Sequence, residues 1–297
     1  QHDVYRDFGV VILCCVFGVP DMIGKLLIQV VVLVLNYVFS KCFVFKDKTP
    51  KEFLSPEELL EKKRIRRCAA FGFVIPAVVV AVSFAVNLVY PFGDHGVLII
   101  DSLHQYLPFF TEFHEKLVNN ESFLYSMGGG LGFNFWATIA YYLASPLNFL
   151  IALFPASMMI EAFETLIVLK ICLSGWTAYR YLRRRTGRND YSTVVFASFY
   201  ALGGFSIAYN WNVMWLDSIV LFPLILMGME RLINDKNGRL YAVTMGLAIF
   251  CNYYMAIMIC IFVVLYFFVI WFSRKREGVG QFFKSGFHFA LCSVLAG

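Results

Sequence analysis

A group of polar and ionisable residues follows directly after a long apolar run. Asp94, His95, Asp101, His104 and Gln105 all lie in the segment YPFGDHGVLIIDSLHQYLPFF, residues 90–110. Asp101 comes immediately after the apolar stretch GVLII, which predicts a carboxylate at the boundary between water and lipid, where desolvation makes it more basic. Such a carboxylate could take a proton from a hydroxyl group or hold a divalent cation. Asp101 is therefore the first catalytic candidate. Asp94 is the second, because a turn at Gly93–Gly96 could bring it back towards Asp101.

A helix over residues 101–117 would gather further polar groups on one face, because residues three and four positions apart are neighbours on a helix. That face would carry Asp101, His104, Gln105, Pro108, Glu112 and Glu115. The opposite face would be apolar, which predicts a helix lying on the membrane surface with its polar face towards an external cleft. His104 and Gln105 are then candidate substrate-binding residues. The alternative is that these groups only solvate an interfacial helix.

Composition decides what kind of protein must position these residues. Of the 297 residues, 60% are hydrophobic and only 15% are charged, whereas about a quarter of a soluble domain is charged. This predicts an all-α polytopic membrane protein. Four clusters hold most of the Lys and Arg residues, as expected of cytoplasmic loops, so the net charge of +5 does not indicate nucleic-acid binding. The eight cysteines lie in or beside apolar runs and are interpreted as helix-packing residues.

The basic clusters also predict the topology. KKRIRR (62–67) and RRRTGR (183–188) are both expected inside, so an even number of crossings separates them. The helices 69–90 and 158–182 supply two, and 136–155, with Pro146 and Pro155, is expected to be a broken interfacial or re-entrant pair. The apolar run 240–272 is too long for one span and is expected to be a hairpin turning near NYYM (252–255). Residues 191–209 and 212–230 form another hairpin. A large external loop, 91–157, follows the helix 69–90.

Two charged residues lie close to or within the predicted membrane. Lys170 is deep in the helix 158–182, where a lysine is costly and usually faces a partner or a cavity. It could pair with Glu161 or Glu164, or it could contact a lipid phosphate. Asp217 lies beside two tryptophans and could face the same cavity as Asp101 or cap its helix. Both are candidate substrate-binding residues.

The glycine-rich segment SMGGGLGFNFW (126–136) is not preceded by a predicted strand or followed by Lys-Ser/Thr, so it does not match a nucleotide P-loop. The glycines permit a tight loop, interpreted as a candidate lid over a substrate.

Four stretches of the chain together resemble the bacterial YfhO family, which belongs to the GT-C type of membrane glycosyltransferases. They are FGDHGVLIIDSLHQYLPFF, GGGLGFNFWATIAYYLASPLNFLIALFP, NWNVMWLDSIVLFPLILMGMERLI and NYYMAIMICIFVVLYF, and the resemblance covers residues 69–297.

Separately, GKLLIQVVVLVLNYVFSKCFVFKD (24–47) resembles the last helix of a GtrA-type protein. We thus expect a GtrA-like segment (1–47), a basic cytoplasmic linker (48–68) with a capping box at Ser55 and Glu58, and a GT-C-like domain (69–297). The chain is expected to be part of a longer protein.

The resemblance implies an enzyme of the bacterial cell membrane with its active site on the external face. It implies a polyprenyl-phosphate-linked sugar donor and an extracytoplasmic cell-envelope acceptor such as lipoteichoic acid. Asp101 occupies the place of the family's acidic residue, with Asp94 as a second acid. The sequence departs from a close pair of acidic residues, because residue 99 is Ile. The metal requirement is therefore open, and a divalent cation is one source of positive charge for the leaving phosphate. The alternative function is a transporter or flippase of lipid-linked sugars.

Overall fold

A computed structural model describes residues 55–273 and 278–296. The chain divides into two compact units, 1–59 and 60–297. The predicted GtrA-like segment, 1–47, lies outside the described residues. The described part contains helices and no β-strand, apart from isolated bridges. The helices are α1 (Pro56–Val86), α2 (Leu107–Val118), α3 (Phe135–Thr138), α4 (Met159–Thr186), α5 (Tyr191–Ala201), α6 (Gly204–Ala208), α7 (Val213–Asp235), α8 (Arg239–Cys251), α9 (Tyr253–Phe272) and α10 (Val279–Val294), with π-helical turns at Ser102–Tyr106 and Ile139–Leu143 and 3₁₀ helices at Pro146–Leu153 and Ala156–Met158.

The predicted capping box is confirmed at the start of α1. The Glu58 backbone N–H donates to Ser55 Oγ at 3.2 Å, and the Ser55 N–H donates to Glu58 Oε2 at 2.9 Å. The basic segment and the apolar segment that follows it form one continuous helix of 31 residues. Residues 56–68 of the predicted linker (48–68) are therefore the first turns of α1.

Four segments of the described part are long and apolar enough to cross a membrane, which agrees with an all-α polytopic membrane protein. They are α1, residues 191–208, α7 and α9. The stretches Phe135–Leu143 and Pro146–Leu153 bend by 103° relative to each other, as expected of a broken or re-entrant pair. α4 is not among the four, although its 28 residues extend about 42 Å at 1.5 Å per residue.

α1, α4 and α7 form the frame that positions the candidate site. Lys170, about three turns into α4, bonds to Asp217 near the start of α7, and Arg184 bonds to Asp235 near the ends of both helices. α4 and α7 therefore run side by side in the same direction. α1 runs the opposite way against α4, and its Gly72 faces Gly175 so closely that a Cβ on Gly175 would lie 2.3 Å from the Gly72 carbonyl oxygen. Glycine at this crossing lets the two backbones touch, as is typical of membrane helices.

The predicted hairpin in residues 240–272 is confirmed by a helix break at Asn252. Asn252 has an extended backbone (φ −162°, ψ 103°) and caps α9 by accepting from the Met255 N–H at 2.9 Å. Tyr241 in α8 and Phe267 in α9 both contact Phe289, with ring centroids 5.7 and 5.2 Å away, so the chain returns on itself. α8 has 13 residues and extends only about 20 Å, less than the roughly 30 Å hydrocarbon core.

We refer to the two ends of this frame by their residues. The Asp101 end comprises the segment 87–158 and the starts of α4 and α7, and its apolar cluster includes Phe110, Phe113 and Phe163, all essentially inaccessible to solvent. The arginine end comprises the start of α1 and the ends of α4 and α7. α4 finishes there with Arg183, Arg184 and Arg185.

Candidate active site

Asp101 stands at a strained point of the backbone. The preceding residue, Ile100, has φ of +51°, a conformation that a β-branched residue rarely adopts and that costs on the order of 1–3 kcal/mol. Ser102 holds the turn, because its hydroxyl donates to the Ile99 carbonyl at 2.5 Å and accepts from the Ile99 N–H at 2.7 Å. The Asp101 side chain itself is exposed. The fold therefore maintains an unfavourable backbone conformation and presents a free carboxylate at the next position.

Two π-helical turns meet next to Asp101. Ser102–Tyr106 leads into α2, and Ile139–Leu143 follows α3. The Gln105 amide lies 3.3 Å from the Tyr142 hydroxyl, and the rings of Tyr106 and Tyr142 are 5.4 Å apart. Because π-turns are rare and occur often at functional sites, this contact is the first structural indication of a site here.

An aromatic cluster formed by Tyr106, Tyr142, Phe109 and Trp211 surrounds this contact. Tyr106 stacks on Trp211 with ring centroids 6.2 Å apart, and Phe109 lies 5.1 Å from Tyr142. Burial raises the pKa of the Tyr106 phenol to about 12, and the negative charge of Asp101 adds to the increase. The Asp101 carboxylate is thus near enough to the cluster for its charge to act on it.

Asn212 connects the aromatic cluster to α7. The Tyr106 hydroxyl donates to Asn212 Oδ1 at 3.0 Å, whereas the buried Asn212 Nδ2 has no hydrogen-bond partner in the described residues. The indole N–H of neighbouring Trp215 is also buried without a partner in this part of the chain. An unpaired buried donor costs about 1–3 kcal/mol, so these two donors at the start of α7 are candidates for hydrogen bonds to a polar ligand.

Lys170 and Asp217 lie together in a buried polar cluster one layer deeper. Lys170 Nζ is 2.7 Å from Asp217 Oδ2, 3.2 Å from Asn148 Oδ1 and 3.1 Å from the Val213 carbonyl oxygen. The Ser145 hydroxyl donates to the other Asp217 oxygen at 2.6 Å. The lysine is completely inaccessible to solvent. All three ammonium hydrogens therefore have acceptors, and the cluster joins α4, α7 and the re-entrant segment.

The lysine's partner differs from both predicted acidic partners. It is Asp217 and neither Glu161 nor Glu164. Glu164 makes a different contact, because its carboxylate accepts from the Val97 N–H at 2.9 Å and so ties the segment before Asp101 to α4.

The remaining predicted residues lie on the surface. Asp94 and His104 are exposed, and His95 Nδ1 is 2.9 Å from the Asn87 carbonyl oxygen. Gln105 is half-buried at the aromatic cluster. The structure therefore brings Gln105 to the aromatic cluster beside Asp101 and places Lys170 with Asp217 behind it, while Asp94 and His104 make no side-chain contact to either group in the described residues.

The glycine-rich segment closes a cleft of about 690 Å³ beside α2. Ser126 and Phe133 exchange backbone hydrogen bonds at 3.0 and 2.9 Å across its base. Gly132 has φ of +95°, and a Cβ there would lie 2.0 Å from the Tyr125 hydroxyl, so only glycine fits. The buried Lys116 side chain holds the start of this loop, because its Nζ donates to the Tyr125 carbonyl oxygen at 3.0 Å. The expectation of a tight loop is confirmed, whereas its role as a lid stays a prediction.

A metal site is not evident in this part of the chain. Across residues 55–273 and 278–296, no group of three or more His, Cys, Asp or Glu side chains is arranged to hold a metal ion. Within those ranges, Asp101 belongs to no such group of carboxylate ligands. The described residues therefore do not by themselves supply three such ligands for a divalent cation.

Several residues of the site were not predicted from the sequence. Tyr106, Tyr142, Ser145 and Asn148 are in apolar or aromatic runs and have the appearance of packing residues. Asn148 offered the clearest signal, because an amide inside the apolar stretch 147–154 requires a hydrogen-bonding partner when buried.

Comparison with known proteins gives the family. Residues 72–297 match the family described as bacterial membrane protein YfhO. The match covers most of the chain, so the chain belongs to the YfhO family, as the resemblance predicted. A search of curated proteins found no match, and a search of solved structures found none.

Proposed function

We propose that this protein is a membrane glycosyltransferase that transfers a sugar from a polyprenyl-phosphate donor to an extracytoplasmic acceptor. The acceptor class is a cell-envelope glycopolymer such as lipoteichoic acid. Membership of the YfhO family supports a glycosyltransferase-like role in general. The observation that carries the proposal is the exposed Asp101 carboxylate, held after a strained residue and beside Tyr106 and Tyr142.

In the proposed reaction, Asp101 takes the proton of an acceptor hydroxyl. The hydroxyl oxygen attacks the anomeric carbon of the sugar from the face opposite the phosphate and forms the new glycosidic bond. The bond between the anomeric carbon and the phosphate oxygen breaks, and polyprenyl phosphate leaves with the electron pair, so the configuration inverts. A positioned general base contributes about 10²–10⁴ in rate.

The aromatic cluster is the proposed sugar platform. Aromatic faces offer large, rigid apolar surfaces, and tyrosine and tryptophan also carry a polar edge. Gln105 and the unpaired Asn212 Nδ2 are suitable donors to sugar hydroxyl groups. Lys170 and Asp217 then act as positioning residues, because they hold the start of α7, which carries Asn212, against the re-entrant segment.

An apolar cavity of about 310 Å³ at the Asp101 end is the proposed place for the donor's isoprenoid chain. Its walls come from α1, α4 and the segment before Asp101, and they include Val80, Phe84, Val97, Ile167 and Ile171. Val97 lies four positions before Asp101, so a chain bound here would bring its phosphate towards the same loop.

The test is sugar transfer from synthetic polyprenyl-phosphate donors by membranes carrying the full-length protein. Wild type, Asp101→Asn and Asp94→Asn are compared at matched expression. Asp235→Asn, an identical change at the arginine end, is the control. We expect transfer by wild type and the control and a loss of at least about a hundredfold in Asp101→Asn. Equal transfer by Asp101→Asn would remove this residue from the chemistry, and a loss confined to Asp94→Asn would move the base there.

A transporter or flippase of lipid-linked sugars is the second candidate. The observation that favours it is the sharply bent segment beside a buried Lys–Asp pair, because broken helices and intramembrane charges are common in transport sites. Donor translocation in proteoliposomes without any sugar transfer would support this function over the enzyme.

A further inference from the structure

The arginine end contains a cleft of about 640 Å³ between α1, α4 and α7. Five arginines line it, together with Glu61 as the only acidic side chain among the described lining residues. They are Arg66, Arg180, Arg183, Arg184 and Arg231. Because guanidinium groups present planar, paired N–H donors, a cluster of this kind suits an oxyanion with several acceptor oxygens, above all a phosphate.

Most of this charge is not neutralised within the described residues. Arg184 pairs with Asp235 at 2.6 Å, and Glu61 accepts from the Asn189 amide at 2.8 Å. Arg66, Arg183 and Arg231 form no ion pair with any described carboxylate. Arg180 lies over the Trp176 ring at 4.7 Å, which leaves the edge of its guanidinium group for another partner.

The basic cleft is continuous with an apolar groove of about 350 Å³. The two share Ala70 and Trp176, and the groove adds Phe73, Val74 and Leu173. Along α1 the groove follows the cleft in the direction away from the basic start, and along α4 it lies before the arginine-rich end. Cationic and apolar surfaces thus follow one another along the helix axes, in the order of a phospholipid's headgroup and acyl chain.

We propose that this composite surface binds an anionic glycerophospholipid. The phosphate lies between the arginines, Trp176 marks the interface, and one acyl chain runs along the groove at Val74 and Leu173. Basic pockets between membrane helices on the positively charged side are known to suit anionic headgroups. The site lies towards the end of α4, where Arg183 is 13 residues or about 20 Å beyond Lys170, and it does not depend on the proposed transfer reaction.

The experiment measures lipid binding to the full chain purified in detergent. The probes are phosphatidylglycerol, phosphatidylcholine with the same acyl chains, and inorganic phosphate, and the readouts are native mass spectrometry and the shift of the unfolding temperature. The variants are Arg66→Gln/Arg183→Gln in the cleft and Arg64→Gln/Arg67→Gln as the control. The control removes two exposed arginines from the cluster that also contains Arg66, but it does not alter the lining of the cleft.

We expect phosphatidylglycerol to bind and stabilise, and phosphatidylcholine to do so much less. The cleft variant should lose about tenfold to a hundredfold in affinity, because each charge-assisted hydrogen bond contributes about one factor of ten, and the control should lose less than about threefold. Val74→Asn, at a residue that is 44% exposed, should weaken phosphatidylglycerol binding without lowering the unfolding temperature of the lipid-free protein.

Three results would overturn the proposal. Equal loss in the cleft and control variants would mean that general surface charge attracts the lipid. Equal binding of phosphatidylcholine would remove the role of the arginines. Stabilisation by inorganic phosphate at the same concentration as phosphatidylglycerol, with no effect of Val74→Asn, would mean that the cleft takes a free phosphate and the groove takes no chain.

Discussion

The buried Lys170–Asp217 pair allows a prediction with a built-in control. Replacing Lys170 with Met leaves a carboxylate without its main partner in a site where Asp217 is only 4% exposed. Removing one partner of a buried ion pair costs about 3–5 kcal/mol. With roughly 2–4 °C of unfolding temperature per kcal/mol for a chain of this size, Lys170→Met should lower the midpoint by about 6–20 °C.

The matched control joins the same two helices at their other end. Arg184 and Asp235 are 2.6 Å apart, close to the 2.7 Å of the buried pair, but their side chains are 31% and 50% exposed. Exposed pairs contribute about 0–1 kcal/mol, so Arg184→Met should lower the midpoint by less than about 4 °C. The two variants differ mainly in burial.

A double-mutant cycle completes the test. Lys170→Met, Asp217→Leu and the double variant are compared by thermal unfolding in detergent, with folding checked by size-exclusion chromatography. The double variant should cost about 1–3 kcal/mol less than the sum of the single variants, because it removes both charges together. Additive costs, or a Lys170→Met loss no larger than that of Arg184→Met, would refute the view that this pair holds α4 to α7.

Three further predictions concern the Asp101 loop and the α1–α4 contact. Asp101→Asn should lower the pKa of Tyr106 from about 12, because the carboxylate contributes to that increase. The pKa is measured by ultraviolet titration, as the difference between the protein with Tyr106 and the Tyr106→Phe variant. An unchanged pKa would place Asp101 away from the ring. Because the folded pKa lies above the ordinary value of 10, the neutral phenol stabilises the protein fully below pH 10, and this contribution is lost as the pH rises towards 12; Tyr106→Phe should show a shallower loss over that window. Gly175→Ala should destabilise the protein by about 1–3 kcal/mol, since its Cβ would lie 2.3 Å from the Gly72 carbonyl oxygen. The control, Gly286→Ala, is in open space on α10 and should be neutral or stabilising. Similar unfolding midpoints for the two variants would contradict the close contact.

Local signals predicted much of the architecture correctly. The capping box at Ser55 and Glu58, the bend at Pro146 and the turn at Asn252 each depend on residues within a few positions of one another. Helix propensity, proline geometry and the thickness of a bilayer act locally, so a single sequence carries them. The predicted start of the apolar helix at residue 69 lies inside α1, because a change in composition need not interrupt a helix.

The pairing of charged and polar groups required the fold. Lys170 had two acidic residues within three turns of its own helix, yet its partner, Asp217, is 47 positions away. Glu164 instead accepts from the Val97 N–H, in the segment before Asp101. Hydrogen bonds across helices depend on which faces pack together, and the periodicity of one helix does not specify its neighbour.

The sequence by itself determined the class of protein, its family and the identity of Asp101 as the candidate base, because composition, charge distribution and motif order are properties of the chain. Only the tertiary structure decided what surrounds the Asp101 carboxylate. It brought Tyr106 to Asn212 over 106 positions and Gln105 to Tyr142, and it buried Lys170 against Asp217. The physical reason is that a carboxylate's chemistry depends on the charges, donors and rings within a few ångströms of it, and those neighbours come from parts of the chain that meet only when the helices pack.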